Sequence, residues 1–114
     1  MVTFSCKKIT QEELIRCSLN LNKTEYNVLM YLLKHNKLLK VIEIADALKL
    51  ERTSVQKALK SLFKKDLVIR QQKNISAGGY VYFYQAKNKE AIKETMKKIT
   101  YEWYKNVERM IDSL

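Results

Sequence analysis

The sequence predicts a mainly helical chain with one small β-hairpin past its middle and a long helix at its end. Three observations predict it. Proline is absent and the only two glycines, Gly78 and Gly79, are adjacent, which excludes long irregular loops and leaves room for one tight turn. Apolar residues recur at steps of three and four through most of the chain, the spacing of one helical face. Between residues 67 and 84 that period changes to β-branched and aromatic runs. With 114 residues, 46% hydrophobic and 30% charged, the composition is that of one folded globular domain rather than a disordered chain.

Thr10-x-x-Glu13 is a capping box that opens a short helix to Leu19, with Leu14, Ile15 and Leu19 on one side. Asn22-x-x-Glu25 is a variant of the same signal. Behind it Tyr26, Leu29, Met30 and Leu33 predict a second helix from Lys23 to about His35. Leu38 to Val41 is a short apolar piece expected to pair as a brief strand. Ile42, Ile44, Ala45 and Leu48 mark a third helix ending near Lys49, followed by a turn of about four residues.

A fourth helix is expected over Arg52–Lys65, capped by Thr53 with Gln56, or alternatively by Glu51. Its buried set is Val55, Ala58, Leu59, Leu62 and Phe63. Leu67–Arg70 and Tyr80–Tyr84 read as two antiparallel strands, with a long polar tip over Gln71–Gly79. Val81 and Phe83 point to one side of this hairpin and Tyr80, Tyr82 and Tyr84 to the other. Asn88 to Leu114 reads as one long helix whose stripe is Ile92, Met96, Ile99, Trp103, Val107, Met110 and Leu114.

A short helix, a tight turn, a second amphipathic helix and then a hairpin make a winged helix-turn-helix. The expected organisation is a single domain over residues 1–114, with the helix-turn-helix core and wing at 10–86 and a C-terminal dimerisation helix at 87–114. Any small α+β domain can show this order, and such domains also serve as protein–protein modules. Charge separates these readings.

Lys and Arg number 22 against 12 Asp and Glu, a net +10 that predicts attraction to polyanions. Residues 37–86 hold ten cations and four anions, net +6, while the segments on either side carry +2 each. Arg52, Lys57, Lys60, Lys64, Lys65, Arg70 and Lys73 are met by one anion, Asp66. That places the excess on the fourth helix and the hairpin, where a reader of DNA phosphates needs it. Thr53, Gln56, Lys57, Lys60 and Lys64 form a polar face opposite Val55, Leu59 and Leu62.

A recognition helix brings its N-terminal residues to the base edges of the major groove. There Arg52 suits a guanine and Gln56 an adenine. Thr53 and Ser54 suit a thymine methyl or a phosphate, Lys57, Lys60 and Lys64 suit the backbone, and Ser61 is counted among the DNA-binding residues. For Lys64 and Lys65 a plainly solvated face is an equal reading. Arg70, Lys73 and Asn74, at the hairpin tip, are expected along phosphates or in the minor groove. The tyrosines Tyr80, Tyr82 and Tyr84 admit base stacking, but packing on neighbouring helices with hydroxyls in water is preferred.

Enzymatic chemistry is not expected. The chain has one histidine, His35, at a helix end, and two cysteines, Cys6 and Cys17, at a spacing foreign to zinc sites. One Gly-Gly pair builds no phosphate loop. No metal and no cofactor is implied. Cys6 and Cys17 are read as free thiols, with a redox switch favoured by the neighbouring Lys7, Lys8 and Arg16 as the alternative. The apolar runs are too short to span a bilayer and no secretory signal opens the chain, so a cytoplasmic location without membrane contact is expected.

The last helix is longer than a small winged helix needs to cover itself. Met96, Trp103 and Met110 keep a seven-residue repeat beside Ile92 and Ile99, and Asn106 stands at the next position of the second series as a register-setting polar residue. A homodimer is expected, with Leu14, Ile15 and Leu19 completing an interface of Ile92, Met96, Ile99, Trp103, Asn106 and Met110. The alternative is a helix folded back on its own domain.

The run Leu21-Asn22-Lys23-Thr24-Glu25-Tyr26-Asn27-Val28-Leu29, then Ile42-x-x-Ala45-x-x-Leu48, then Arg52-Thr53-Ser54-Val55-Gln56-Lys57-Ala58-Leu59-Lys60-Ser61-Leu62 and Leu67-Val68 resembles the MarR-like and TrmB-like winged-helix transcription regulators of prokaryotes. The resemblance covers roughly residues 10–86. It implies a dimeric DNA-binding repressor or activator using the helix and wing named above. Two features depart from it: the separate sugar-binding domain of full TrmB-like proteins is missing, and the helical ends are short for a MarR-like dimer with a ligand pocket. Both argue against an effector site. A sequence-specific double-stranded DNA regulator is therefore the leading expectation. A nonspecific chromatin-type architectural protein and a winged-helix scaffold of the transcription machinery stand as alternatives.

Overall fold

The computed structural model describes all 114 residues. A two-residue hairpin of β1 (Val2–Thr3) and β2 (Lys8–Ile9) precedes α1 (Gln11–Leu19), α2 (Lys23–Lys34), α3 (Val41–Leu48) and α4 (Arg52–Lys64). The wing, β3 (Val68–Asn74) and β4 (Tyr80–Ala86), and the long α5 (Lys89–Asp112) follow. The first hairpin has no glycine, proline, Asn or Asp in its turn and pairs only Val2 with Ile9 and Thr3 with Lys8, too little pattern to read from sequence.

Helix starts follow their caps. Thr10 Oγ1 accepts the Glu13 N–H at 3.1 Å while Glu13 accepts the Thr10 N–H. Asn22 and Glu25 repeat the exchange, both bonds at 2.8 Å. These bonds also tune acids. The Thr10 backbone N–H, with help from Lys7, holds the Glu13 carboxyl below its ordinary value of 4.5. Lys23, bonded to Glu12 at 2.6 Å, does the same for Glu12. The expected Thr53–Gln56 cap of α4 does not form. The helix begins two residues earlier than that cap requires, with Glu51 at the N-cap position and no side-chain bond.

α2, α3 and α4 pack as a tripod. Val28, Leu29, Leu32, Ile44, Val55, Leu59, Leu62, Leu67 and Val68 are all less than 2% exposed. The turn between α3 and α4 is three residues, Lys49–Glu51, with Lys49 left-handed at φ 56°. Leu39 does not extend a strand. It makes a single bridge to Tyr84, donating and accepting at 2.8 Å, and Val41 already opens α3.

Phe63, expected in the core, is 39% exposed. At about 100° per residue it stands roughly 80° round from Val55, at the edge of the apolar stripe rather than within it. The strands are also longer than the residue types suggest. Gln71, Gln72, Lys73 and Asn74 belong to β3, and the turn is only Ile75–Gly79. Pairing with Tyr82, Val81 and Tyr80 carries these poor strand formers into the ladder. Gly78 and Gly79 close the turn at φ 97° and 85°, conformations that a Cβ would strain.

α5 leaves the body of the molecule. Ile92 is buried and Met96 half-buried, but from Ile99 onward the stripe is exposed except for the half-buried Val107. The molecule measures 65 × 23 × 22 Å with a radius of gyration of 17.2 Å. A compact chain of this length has a radius near 13 Å.

Candidate nucleic-acid interface

The tripod leaves one flank of α4 bare. Arg52, Thr53, Gln56, Lys57, Lys60 and Lys64 are exposed; Ser54 and Ser61 are half-buried at its margins. Ser54 and Lys57 border a polar cleft of about 260 Å³ shared with Asn22, Thr24 and Glu25 of the α2 start. The uncapped first turn of α4 adds partial positive charge at the Arg52–Thr53 end.

Ion pairing sorts the lysines. On α5, Lys93, Lys97 and Lys105 each pair with a glutamate three residues away. Of the seven cations from Arg52 to Lys73, only Lys65 has an acidic partner, Glu25 at 3.8 Å. Lys65 also donates to the Asn20 carbonyl, so it fastens the end of α4 to the start of α2 instead of facing solvent. The other six hold their charge free. Asp66, the one anion of the segment, is taken by Lys87.

The wing places its polar residues differently from expectation. Arg70 stands at the wing's base opposite Tyr84, not at its tip, while Lys73 and Asn74 lie farther out, opposite Val81 and Tyr80. Lys73 rests over the Phe83 ring, 4.9 Å from its centre. The Arg70 guanidinium packs against two rings, Phe63 at 4.4 Å and Tyr82 at 4.3 Å. Neither ring was legible as part of the site, because only the docking of wing against α4 brings them together. Tyr84 is buried, Tyr82 half-buried and Tyr80 exposed, so the tyrosine side of the wing packs inward at its base and opens toward its tip.

The expected association surface is reshaped. Leu19 and Ile92, each 6% exposed, are consumed by the chain's own core, and Ile15 packs against it. Leu14, Ile99, Trp103, Asn106 and Met110 remain exposed and Met96 half-exposed. Asn106 accepts from Arg109 at 2.8 Å. A groove of about 450 Å³ runs between α1 and α5, lined by Leu14, Met96, Tyr101 and Tyr104. His35 caps the end of α2 and stacks on Tyr31, 4.3 Å between ring centres. Cys6 and Cys17 are free and exposed. No helix is long and apolar enough to cross a membrane.

The model of the family described as sugar-specific transcriptional regulator TrmB matches residues 15–90. The protein MJ1082 of Methanocaldococcus jannaschii is 37% identical over 105 residues, 92% of this chain and 86% of its own. A solved structure of a possible transcriptional regulator from Methanosarcina mazei Go1 superposes with a TM-score of 0.93 at 32% identity, covering 99% of this chain and 95% of that one. A MepR mutant of S. aureus, solved bound to an oligodeoxyribonucleotide, superposes at 0.58 with 19% identity over 91% of this chain and 73% of its own, a likeness of fold. The bare cationic flank of a helix-turn-helix, the wing beside it and these matches over nearly the whole chain agree: the protein belongs to the TrmB family of winged-helix transcriptional regulators.

Proposed function

We propose that the protein is a cytoplasmic, homodimeric regulator that binds double-stranded DNA at specific sequences, with α4 in the major groove and the wing along the backbone and minor groove. The carrying observation is the segregation of charge: six of the seven cations from Arg52 to Lys73, on the bare flank of α4 and on the wing, have no acidic partner, whereas three of the five lysines of α5 are paired with glutamates of their own helix. Nothing of the chain covers Gln56, Lys57 or Lys60. Arg52 and Gln56 are the base-reading candidates, Thr53 and Ser54 their neighbours, and Lys57, Lys60, Ser61, Arg70, Lys73 and Asn74 the backbone-holding ones. The fold shared with MepR, which was solved on an oligodeoxyribonucleotide, supports this placement.

The exposed stripe Ile99, Trp103 and Met110 supports a two-fold dimer through α5. Its two α4 helices would then read half-sites about 34 Å apart, one turn of duplex. Selection of bound duplexes from a random pool tests specificity, palindromy and spacing together. A two-fold symmetric consensus is the expected result, and flat recovery of all sequences refutes specific regulation. One observation favours an architectural role instead: 18 of the 22 cations are lysine, which grips phosphates without reading bases. Flat recovery would decide for that role.

A further inference from the structure

Of the cations of the α4–wing block, Arg70 is the one held between two rings; Lys73 rests over a single ring and Lys65 is tied to Asn20 and Glu25. Its guanidinium carbon is 4.4 Å from the centre of the Phe63 ring and 4.3 Å from that of Tyr82. Phe63 belongs to the last turn of α4 and Tyr82 to β4, so one side chain of β3 joins the recognition helix to both strands of the wing. Tyr82 is itself braced by Tyr80 and Tyr84, at 5.1 and 6.5 Å between ring centres. Phe63, at 39% exposure, gives up burial that its neighbour Leu62 keeps in full. Arg70 makes no ion pair within the chain.

Guanidinium chemistry makes this arrangement directional. The five N–H donors lie in the plane of the group, while rings attract its faces. With two ring centres 4.4 and 4.3 Å from the guanidinium carbon, little room is left for a base to stack on Arg70, and its N–H donors are what it has to offer outward. A planar fork presented edge-on matches the oxygens of a phosphate. Because the rings restrict its rotamers beforehand, less freedom is lost when that phosphate arrives.

We infer that Phe63 and Tyr82 are positioning residues that hold Arg70 edge-on for a backbone phosphate and make α4 and the wing dock as one body. This rests on the DNA-binding reading above. Neither aromatic touches the duplex; each acts through Arg70.

The test is fluorescence anisotropy with a labelled duplex of arbitrary sequence, about 25 bp to span two half-sites, titrated at several salt concentrations. Arg70→Ala should lower the slope of log affinity against log salt by about 0.9 for each phosphate no longer neutralised. Phe63→Leu removes no charge, yet should reproduce most of that fall in slope. Phe63→Tyr should restore it, and Phe63→Leu combined with Arg70→Ala should bind no worse than Arg70→Ala alone. Thermal melts control for folding; Tyr82→Leu supplies a second route to the same effect if Phe63→Leu melts early. A purely structural stack would shift the melting temperature and leave the salt slope unchanged, and that result overturns the inference. So does additivity in the double variant. Wild-type protein that fails to bind duplex at low salt overturns the DNA-binding reading itself, and the positioning role with it.

Discussion

Trp103 is the sharpest point at which to test how this protein associates. It is the only tryptophan, midway along α5, and 56% of it is exposed in the single chain. A tryptophan side chain offers roughly 250 Å², so about 140 Å² here awaits a partner. At about 25 cal/mol per Å² its burial contributes some 3.5 kcal/mol per chain, and two-fold symmetry counts it twice. Even half of the resulting ~7 kcal/mol corresponds to a few hundredfold in the dimer Kd. Trp103→Ala should therefore shift the protein from twice 13.5 kDa to 13.5 kDa in sedimentation equilibrium at low micromolar concentration. Helicity by circular dichroism should hold, because Trp103 contributes nothing to the chain's own core. In the wild type, dilution should red-shift the single tryptophan emission as the dimer parts. A wild type that stays monomeric at high concentration refutes the reasoning, as does a variant that stays dimeric.

Lys60→Ala should change stability by less than about 0.5 kcal/mol, while reducing the salt slope of DNA binding by about 0.9 per phosphate engaged, read by anisotropy. Lys65→Ala should do the opposite, with DNA affinity held and urea unfolding showing a deficit of about 1 kcal/mol as the Asn20 carbonyl and Glu25 are deprived of their donor. Leu59→Ala removes a side chain with no exposed surface at the centre of the tripod and should cost about 2–5 kcal/mol, measured by denaturant midpoint. Glu13 has a folded-state pKa below its ordinary 4.5, so its contribution to stability is complete above that pH and is lost as pH falls through the lowered value. Glu13→Gln should therefore flatten the acid limb of a stability–pH curve below 4.5, and an unchanged limb would contradict the capping bond.

Local signals carried most of the helical architecture because their causes are local. Thr10 with Glu13 and Asn22 with Glu25 cap within four residues, and the spacing of Val55, Ala58, Leu59 and Leu62 defines a face without reference to anything else. The cationic character of the 52–73 segment is equally a property of the chain. Where a residue's role depends on a partner far along the chain, the pattern was silent. Lys64 and Lys65 are neighbours of one kind, yet Lys65 turns inward because Asn20 and Glu25 lie across the α1–α2 turn. Gln71 to Asn74 are poor strand formers that extend only because Tyr80 to Phe83 lie opposite.

Arg70 became an element of the wing's base, and Phe63 an aromatic support rather than a core residue, through the docking of hairpin on helix. Leu19 and Ile92 were claimed by the interior, while Ile99, Trp103 and Met110 on the outer part of α5 stayed exposed. Caps, faces and net charge depend on residues within a turn or two of one another and so are written in linear order. Which cation is spent, which ring supports it and which apolar side chain stays bare depend on distances across the fold, and packing alone settles those.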